Sequence, residues 1–269
     1  MPNPILTYYL KHKNLVLENL VKCEDPEDIE AIHDMRLSIK RMRVVAKLAD
    51  QVSKNKFNSK ESLAELNKFF KKSGRLRDIQ VTKSLLVDLN DNALGPIIEQ
   101  FNKREKKQRT KFDKTLSSFR VEVLDEIELK LSTLLDGISE KRSFQAGHAL
   151  FLVYQDEIQQ IFHKNDREKR MHDIRTKLKD INYLNNIFED KIPIQDYLNI
   201  SVERLKELGE MAGSWHDCYN LISILNKYAR KHHEDEHVPS IATSIKEIQI
   251  KKEGLYQDYK CILLNEMKI

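Results

Sequence analysis

The sequence predicts an all-α protein, built as antiparallel helical bundles from an internal duplication. Two observations predict it. Apolar residues recur at helical spacing through nearly the whole chain, and no segment alternates as a half-buried strand does. The chain also matches itself at a fixed offset. A shift by 139 residues carries His33-Asp34-Met35-Arg36 onto His172-Asp173-Ile174-Arg175, and Lys40 onto Lys179. The same shift carries Leu66 onto Leu205, Gly74 onto Gly213, Asp78 onto Asp217, Ser84 onto Ser223 and Leu86 onto Leu225. Two separate motifs kept in one register predict a duplicated unit and a pseudo-two-fold relation between its copies. The first copy spans about residues 1–138 and the second about 139–269, within one domain.

The helices follow in order. Periodicity places them at about Ile5–Lys22, Pro26–Ser53, Ser59–Lys72, Leu76–Leu89, Pro96–Phe119 and Val121–Leu135. The second half gives about Phe144–His163, Arg167–Glu189, Ile194–Ala212, Trp215–His232 and Ser240–Met267. Asp25-Pro26 and Gly95-Pro96 put a proline in a first turn, where its missing N–H costs nothing. Gly74, Gly137 and Gly213 stand where helices are expected to stop. Short polar joints between long helices point to antiparallel neighbours.

Composition agrees with this reading and narrows the function classes. Of 269 residues, 40% are hydrophobic and 33% charged, with only 7 Gly and 6 Pro, as long amphipathic helices require. The formal charge of +4 is small, so the placement of charge matters more than its sum. Cys23, Cys218 and Cys261 are far apart and form no CxxC pair, which argues against a disulfide framework or a zinc site. No apolar run approaches membrane-span length, the longest lying around Ala149–Tyr154, and the N-terminus lacks the pattern of a cleaved leader. The expectation is a cytoplasmic protein without membrane association. The sequence carries no sign of oligomeric state.

The chemistry lies in the repeated motifs. His33, Arg36, Lys40, Arg43 and Lys47 fall within about 80° of a helix circumference and form a stripe about 21 Å long. Apolar Ile32, Met35, Ile39, Met42, Val45 and Ala46 flank the stripe and anchor its helix. Such a row suits a polyanion, because Arg offers forked hydrogen bonds to phosphate oxygens and Lys a mobile charge. The second copy keeps His172, Arg175 and Lys179 but has Asn182 and Asn186 where the first has Arg43 and Lys47, so the first half is expected to carry more of the affinity. Asp78 and Asp217 are read as helix caps that also orient a neighbouring cation, with Arg77 and its counterpart His216 pointing at a ligand. Arg104, Lys107 and Lys111 share one helix face and are expected to extend the same groove. Lys169, Arg170 and Lys177 belong to another basic stretch, part of it solvated.

These residues resemble a known family. HDMRLSIKRMR, then LRD after Gly74, then HDIRTKLK and WHD in the second copy, resemble the CHAD family, the conserved histidine α-helical domain. The likeness covers nearly the whole chain. It implies two pseudo-symmetric bundles of four-helix type with a basic groove or pore between them. It further implies binding of inorganic polyphosphate without catalysis, and possible association with polyphosphate granules. Residue by residue, His33, Arg36, Lys40 and Arg43, then His172, Arg175 and Lys179, match the family's basic positions. Asp180, Asn182, Ser214 and His216 depart from them.

Other readings are weaker. Nucleic-acid binding usually adds exposed aromatics among the basic residues, whereas Tyr183 and Trp215 are spaced for a core. A metal-dependent hydrolase would need the adjacent His33-Asp34 and His172-Asp173 to share a metal, yet neighbours on a helix point about 100° apart. Glu126-Ile127-Glu128-Leu129-Lys130 spells the ExExK of triphosphate-tunnel barrels but sits in a helix-periodic segment. The acidic and histidine-rich run His232–His237 reads as a polar joint. No cofactor, metal or catalytic residue is expected.

Overall fold

The computed structural model describes the backbone of residues 3–162 and 167–267, and their side chains except those of residues 167–169. The basic Lys169 side chain and the expected helix end at His163 therefore lie outside the described residues. Among those described there are eleven α-helices, one 3-10 turn and no strand. The helices are α1 (Pro4–Lys22), α2 (Ile29–Ser53), α3 (Ser59–Ser62), α4 (Ala64–Asp88), α5 (Gly95–Ser117) and α6 (Glu122–Leu135). They continue as α7 (Glu140–Phe162), α8 (Arg167–Ile187), α9 (Ile194–Leu198), α10 (Val202–Lys231) and α11 (Val238–Asn265), with the 3-10 turn at Asn92–Leu94.

Local chemistry sets most of the ends. Asn3 accepts a hydrogen bond from the Ile5 amide at 3.0 Å, and Pro4 occupies the first turn of α1. Asp28, not Asp25-Pro26, starts α2 by accepting from the Ala31 amide at 3.0 Å. Ser201 caps α10 through the Arg204 amide. Gly137, at φ +72°, follows the last turn of α6 as expected. The far end of α1 is closed by Arg109, whose guanidinium donates to the carbonyls of Cys23, Glu24 and Asp25 at 2.5, 3.3 and 3.4 Å.

Two expected breaks are absent. α4 runs straight through Gly74 and α10 through Gly213, so neither glycine stops a helix. Asp78 and Asp217 consequently lie inside helices and cap nothing. A glycine costs a helix interior only about 1 kcal/mol relative to alanine, which a tight contact can repay.

The chain divides into two compact units. The first holds residues 1–77, 108–157 and 180–193, and the second holds 78–107, 158–179 and 194–269. These units are not the two halves of the sequence, since α4, α5, α7 and α8 each contribute residues to both. In the first unit α1 packs along α2, and both meet α6. Ile5, Tyr9, Ile32, Met35, Ile39 and Met42 are wholly buried there, and the Tyr9 hydroxyl donates to the Leu124 carbonyl at 2.7 Å. Each such apolar side chain contributes about 1.5–3 kcal/mol on burial. In the second unit α10 packs along α11 over Leu86, Leu94, Phe101, Leu221, Leu225 and Ile241. Asp91 ties the 3-10 turn to α11 by accepting from the Ser244 hydroxyl at 2.8 Å. Among the described residues, no helix is long and apolar enough to cross a membrane.

Candidate functional site

The basic row on α2 forms as its spacing requires. Ile32, Met35, Ile39, Met42, Val45 and Ala46 are buried and fix the rotation of the helix. His33 and Lys47 are left exposed, and Arg36, Lys40 and Arg43 half-buried. The two arginines grip one ring: the Arg36 and Arg43 guanidiniums lie 4.0 and 3.9 Å from the centroid of Phe70. Arg36 Nη1 also donates to the Phe70 carbonyl at 2.5 Å and the Ser73 hydroxyl at 3.1 Å. Arg43 Nε donates to Asn67 Oδ1 at 2.7 Å. Lys47 pairs with Asp180 at 2.6 Å.

Gly74 leaves room for the Arg36 guanidinium. A Cβ there would stand 2.8 Å from Arg36 Nη1 and 3.0 Å from Nη2, so only glycine leaves the guanidinium its place. One turn further along α4, Arg77 donates from Nη1 to Glu30 at 3.3 Å and to the Ile29 carbonyl at 3.4 Å. Its Nε is buried without a hydrogen-bond partner. Partial withdrawal from water, and then the Arg77 guanidinium, hold the His33 imidazole below its ordinary range against the pull of Glu30 and Asp34. Burial likewise lowers Arg43, with Asp180 opposing.

The second motif pair assembles in the second unit. His172 is exposed, with its ring centroid 5.4 Å from that of His216. Arg175 is half-buried, and its Nε has no hydrogen-bond partner. Gly213 faces it more loosely, since a Cβ there would stand 3.7 Å from Nη2 and 3.8 Å from Nε. Burial and then Arg175 bring the Lys179 amine down to about 8, with Asp217 and Glu210 opposing. Asp217 is raised by burial, while Arg175, His216 and Lys179 draw it back down. Although it caps no helix, Asp217 thus lies in the field of three basic side chains. His216 is lowered by burial, then by Arg175 and His172, with Asp217 and Asp78 opposing.

The same positions therefore meet twice: Arg36 with Gly74 and Arg175 with Gly213, His33 beside Arg77 and His172 beside His216. Arg104, Lys107 and Lys111 are exposed on α5 and divide between the two units, and Arg104 lies over the Phe101 ring at 4.6 Å. Asn186 hydrogen-bonds Tyr8. Phe70, Asn67 and Ser73, which hold the arginines of the first row, carry no sequence signal apart from ordinary helix periodicity. Their spacing of three residues each side of Phe70 is the only trace of the arrangement.

Comparison with known proteins gives one consistent result. No curated protein matches the chain. Its structure is similar to the crystal structure of the CHAD domain from the plant Ricinus communis, with a TM-score of 0.69 at 14% identity, covering 98% of this chain and 92% of that one. It is also similar to PptA from Streptomyces chartreusis, with a TM-score of 0.64 at 11% identity, covering 99% of each chain. At such identities the likeness speaks for the fold. The family model of the CHAD domain matches residues 9–226, most of the sequence, and the chain belongs to the CHAD domain family.

Proposed function

We propose that this protein binds inorganic polyphosphate and performs no chemistry on it. The CHAD family is associated with polyphosphate in general. The observation that carries the reading is the α2 row, in which Arg36 and Arg43 clasp the Phe70 ring between His33, Lys40 and Lys47. Guanidiniums already immobilised lose little further freedom on meeting a phosphate chain, so more of each charge-assisted bond appears as affinity. The buried, unpartnered Nε atoms of Arg77 and Arg175 are donors of the kind a bound oxyanion would satisfy.

The repeated contacts support a duplicated binding element, with the copies unequal. The first row ends in Arg43 and Lys47, the second in Asn182 and Asn186, and neither asparagine neutralises charge. Association with polyphosphate granules would follow from the binding itself. Binding without catalysis fits the divergence of His33 and Asp34 on one helix, about 100° apart.

A calorimetric titration with polyphosphate tests the reading. The wild type should saturate, lose affinity steeply with added salt as counterion release requires, and resist displacement by nucleic acid at equal phosphate concentration. The double variant Arg36→Ala, Arg175→Ala should bind at least about tenfold more weakly. Absence of saturable binding at moderate salt would overturn the proposal, and displacement by nucleic acid would favour a nucleic-acid backbone instead.

A further inference from the structure

The first unit contains a second site that the basic row does not use. A cavity of about 1050 Å³ opens among α1, the start of α7 and the end of α8, large enough for a drug-sized molecule. Arg41 lines it from α2. At 100° per residue, Arg41 points about 80° from His33 and still farther from Arg36 and Arg43, so the two sites occupy different faces of one helix.

The lining has two kinds of surface. Ile187, Phe144 and Phe188 give an apolar wall, the two rings meeting edge to face at 5.5 Å. Lys11, Arg41 and Lys141 give positive charge, while Lys191, also in the lining, has Glu189 at 3.3 Å and Glu140 at 3.9 Å. With Glu140 and Glu189 set against all four cations, the lining keeps a surplus of two positive charges.

Two buried polar atoms of the lining residues lack partners. His12 is only 2% exposed, yet its Nδ1 has no hydrogen-bond partner, and the buried Nε of Arg41 has none either. An orphaned buried donor or acceptor is costly, and a native fold seldom keeps two in one cavity without use for them. Burial, then Arg41 and Lys11, bring His12 down to about 3, so its ring is neutral near pH 7. The positive charge of the cavity therefore comes from Arg41 and the two lysines, and Nδ1 is left to hydrogen-bond in whichever tautomer suits.

We propose that this cavity binds a small organic anion with a flat apolar body, its carboxylate or phosphate meeting Arg41 and His12 and its ring packing on Phe144 and Phe188. A bare phosphate chain fits less well, because it has nothing to cover the aromatic wall.

Isothermal titration of the full chain with phenyl phosphate, benzoate and inorganic phosphate tests this. At least one of the two aromatic anions should saturate below about 10 mM, with inorganic phosphate at least about tenfold weaker. Arg41→Gln should cost at least about tenfold. Lys141→Glu, at an exposed position of the lining, reverses one of its charges and should weaken binding at least about tenfold, which keeps the test decisive if Arg41→Gln fails to fold. Both folded variants should bind polyphosphate as the wild type does. Failure of both aromatic anions to saturate, equal affinity for inorganic phosphate, or binding indifferent to Lys141→Glu would each overturn the proposal.

Discussion

The Arg36 guanidinium occupies the space that a side chain at position 74 would need. An alanine there would push Nη1 away from the Phe70 carbonyl and the Ser73 hydroxyl. At Gly213 the matching contact with Arg175 is an ordinary 3.7 Å, and an alanine fits. Both glycines are helical, so both substitutions gain about 1 kcal/mol of helix propensity. Only Gly74→Ala also loses charge-assisted hydrogen bonds, of about 1.5–3 kcal/mol. Chemical denaturation should find Gly213→Ala more stable than the wild type and Gly74→Ala less stable than Gly213→Ala. Equal stabilities would remove the packing reason for Gly74.

Acid should destabilise the first unit through His12. Its imidazole has an ordinary pKa of about 6.5 unfolded, and burial, Arg41 and Lys11 bring it to about 3 in the fold. The folded state therefore resists protonation, and stability falls as pH drops below about 6.5, continuing down to about 3. By pH 5 the loss due to this residue should reach about 2 kcal/mol. His33, in the same unit, is lowered too and adds to the slope. Urea melts at pH 7 and pH 5 should therefore differ less in His12→Phe than in the wild type. An unchanged difference would place the acid sensitivity elsewhere.

Alkali should weaken polyphosphate binding through Lys179. Burial and Arg175 bring this amine down to about 8, so it loses charge above that pH in the free protein. A bound polyanion favours the charged form and raises its pKa, so affinity is steady below about 8 and falls above it. At pH 9 the loss should approach tenfold. Lys179→Arg stays charged across this range and should flatten the profile. A wild-type affinity constant from pH 7 to 9 would sink this assignment.

Gly147→Ala should damage the first unit although the residue is helical. A Cβ at 147 would overlap the edge of the Phe188 ring, which packs against Phe144. Ring atoms held in a core move less readily than the end of an arginine, so the overpacking should cost about 1–3 kcal/mol in spite of the better helix former. A thermal melt raised above the wild type would show that Phe188 gives way.

The two basic rows were legible because helical periodicity and a fixed repeat offset are properties of order along the chain. His33, Arg36, Lys40, Arg43 and Lys47 share one face of α2 through spacing alone. At Gly74 the expected helix end gives way to a close contact, because punctuation and close packing demand the same residue, whereas at Gly213 α10 continues with room for a side chain. A glycine that ends a helix cannot be told from one that admits a guanidinium until the neighbouring helix is in place. The same ambiguity made Asp78 and Asp217 look like caps.

By itself the sequence determined the all-helical class, most helix ends, the family and the members of both rows, since these follow from local spacing and composition. Tertiary structure alone decided that Arg36 and Arg43 clasp Phe70 and that Arg109 closes α1. It alone brought His12, Arg41, Phe144 and Phe188 to one cavity. Those contacts join residues distant along the chain, and their energies depend on separations of a few ångströms that no linear pattern records.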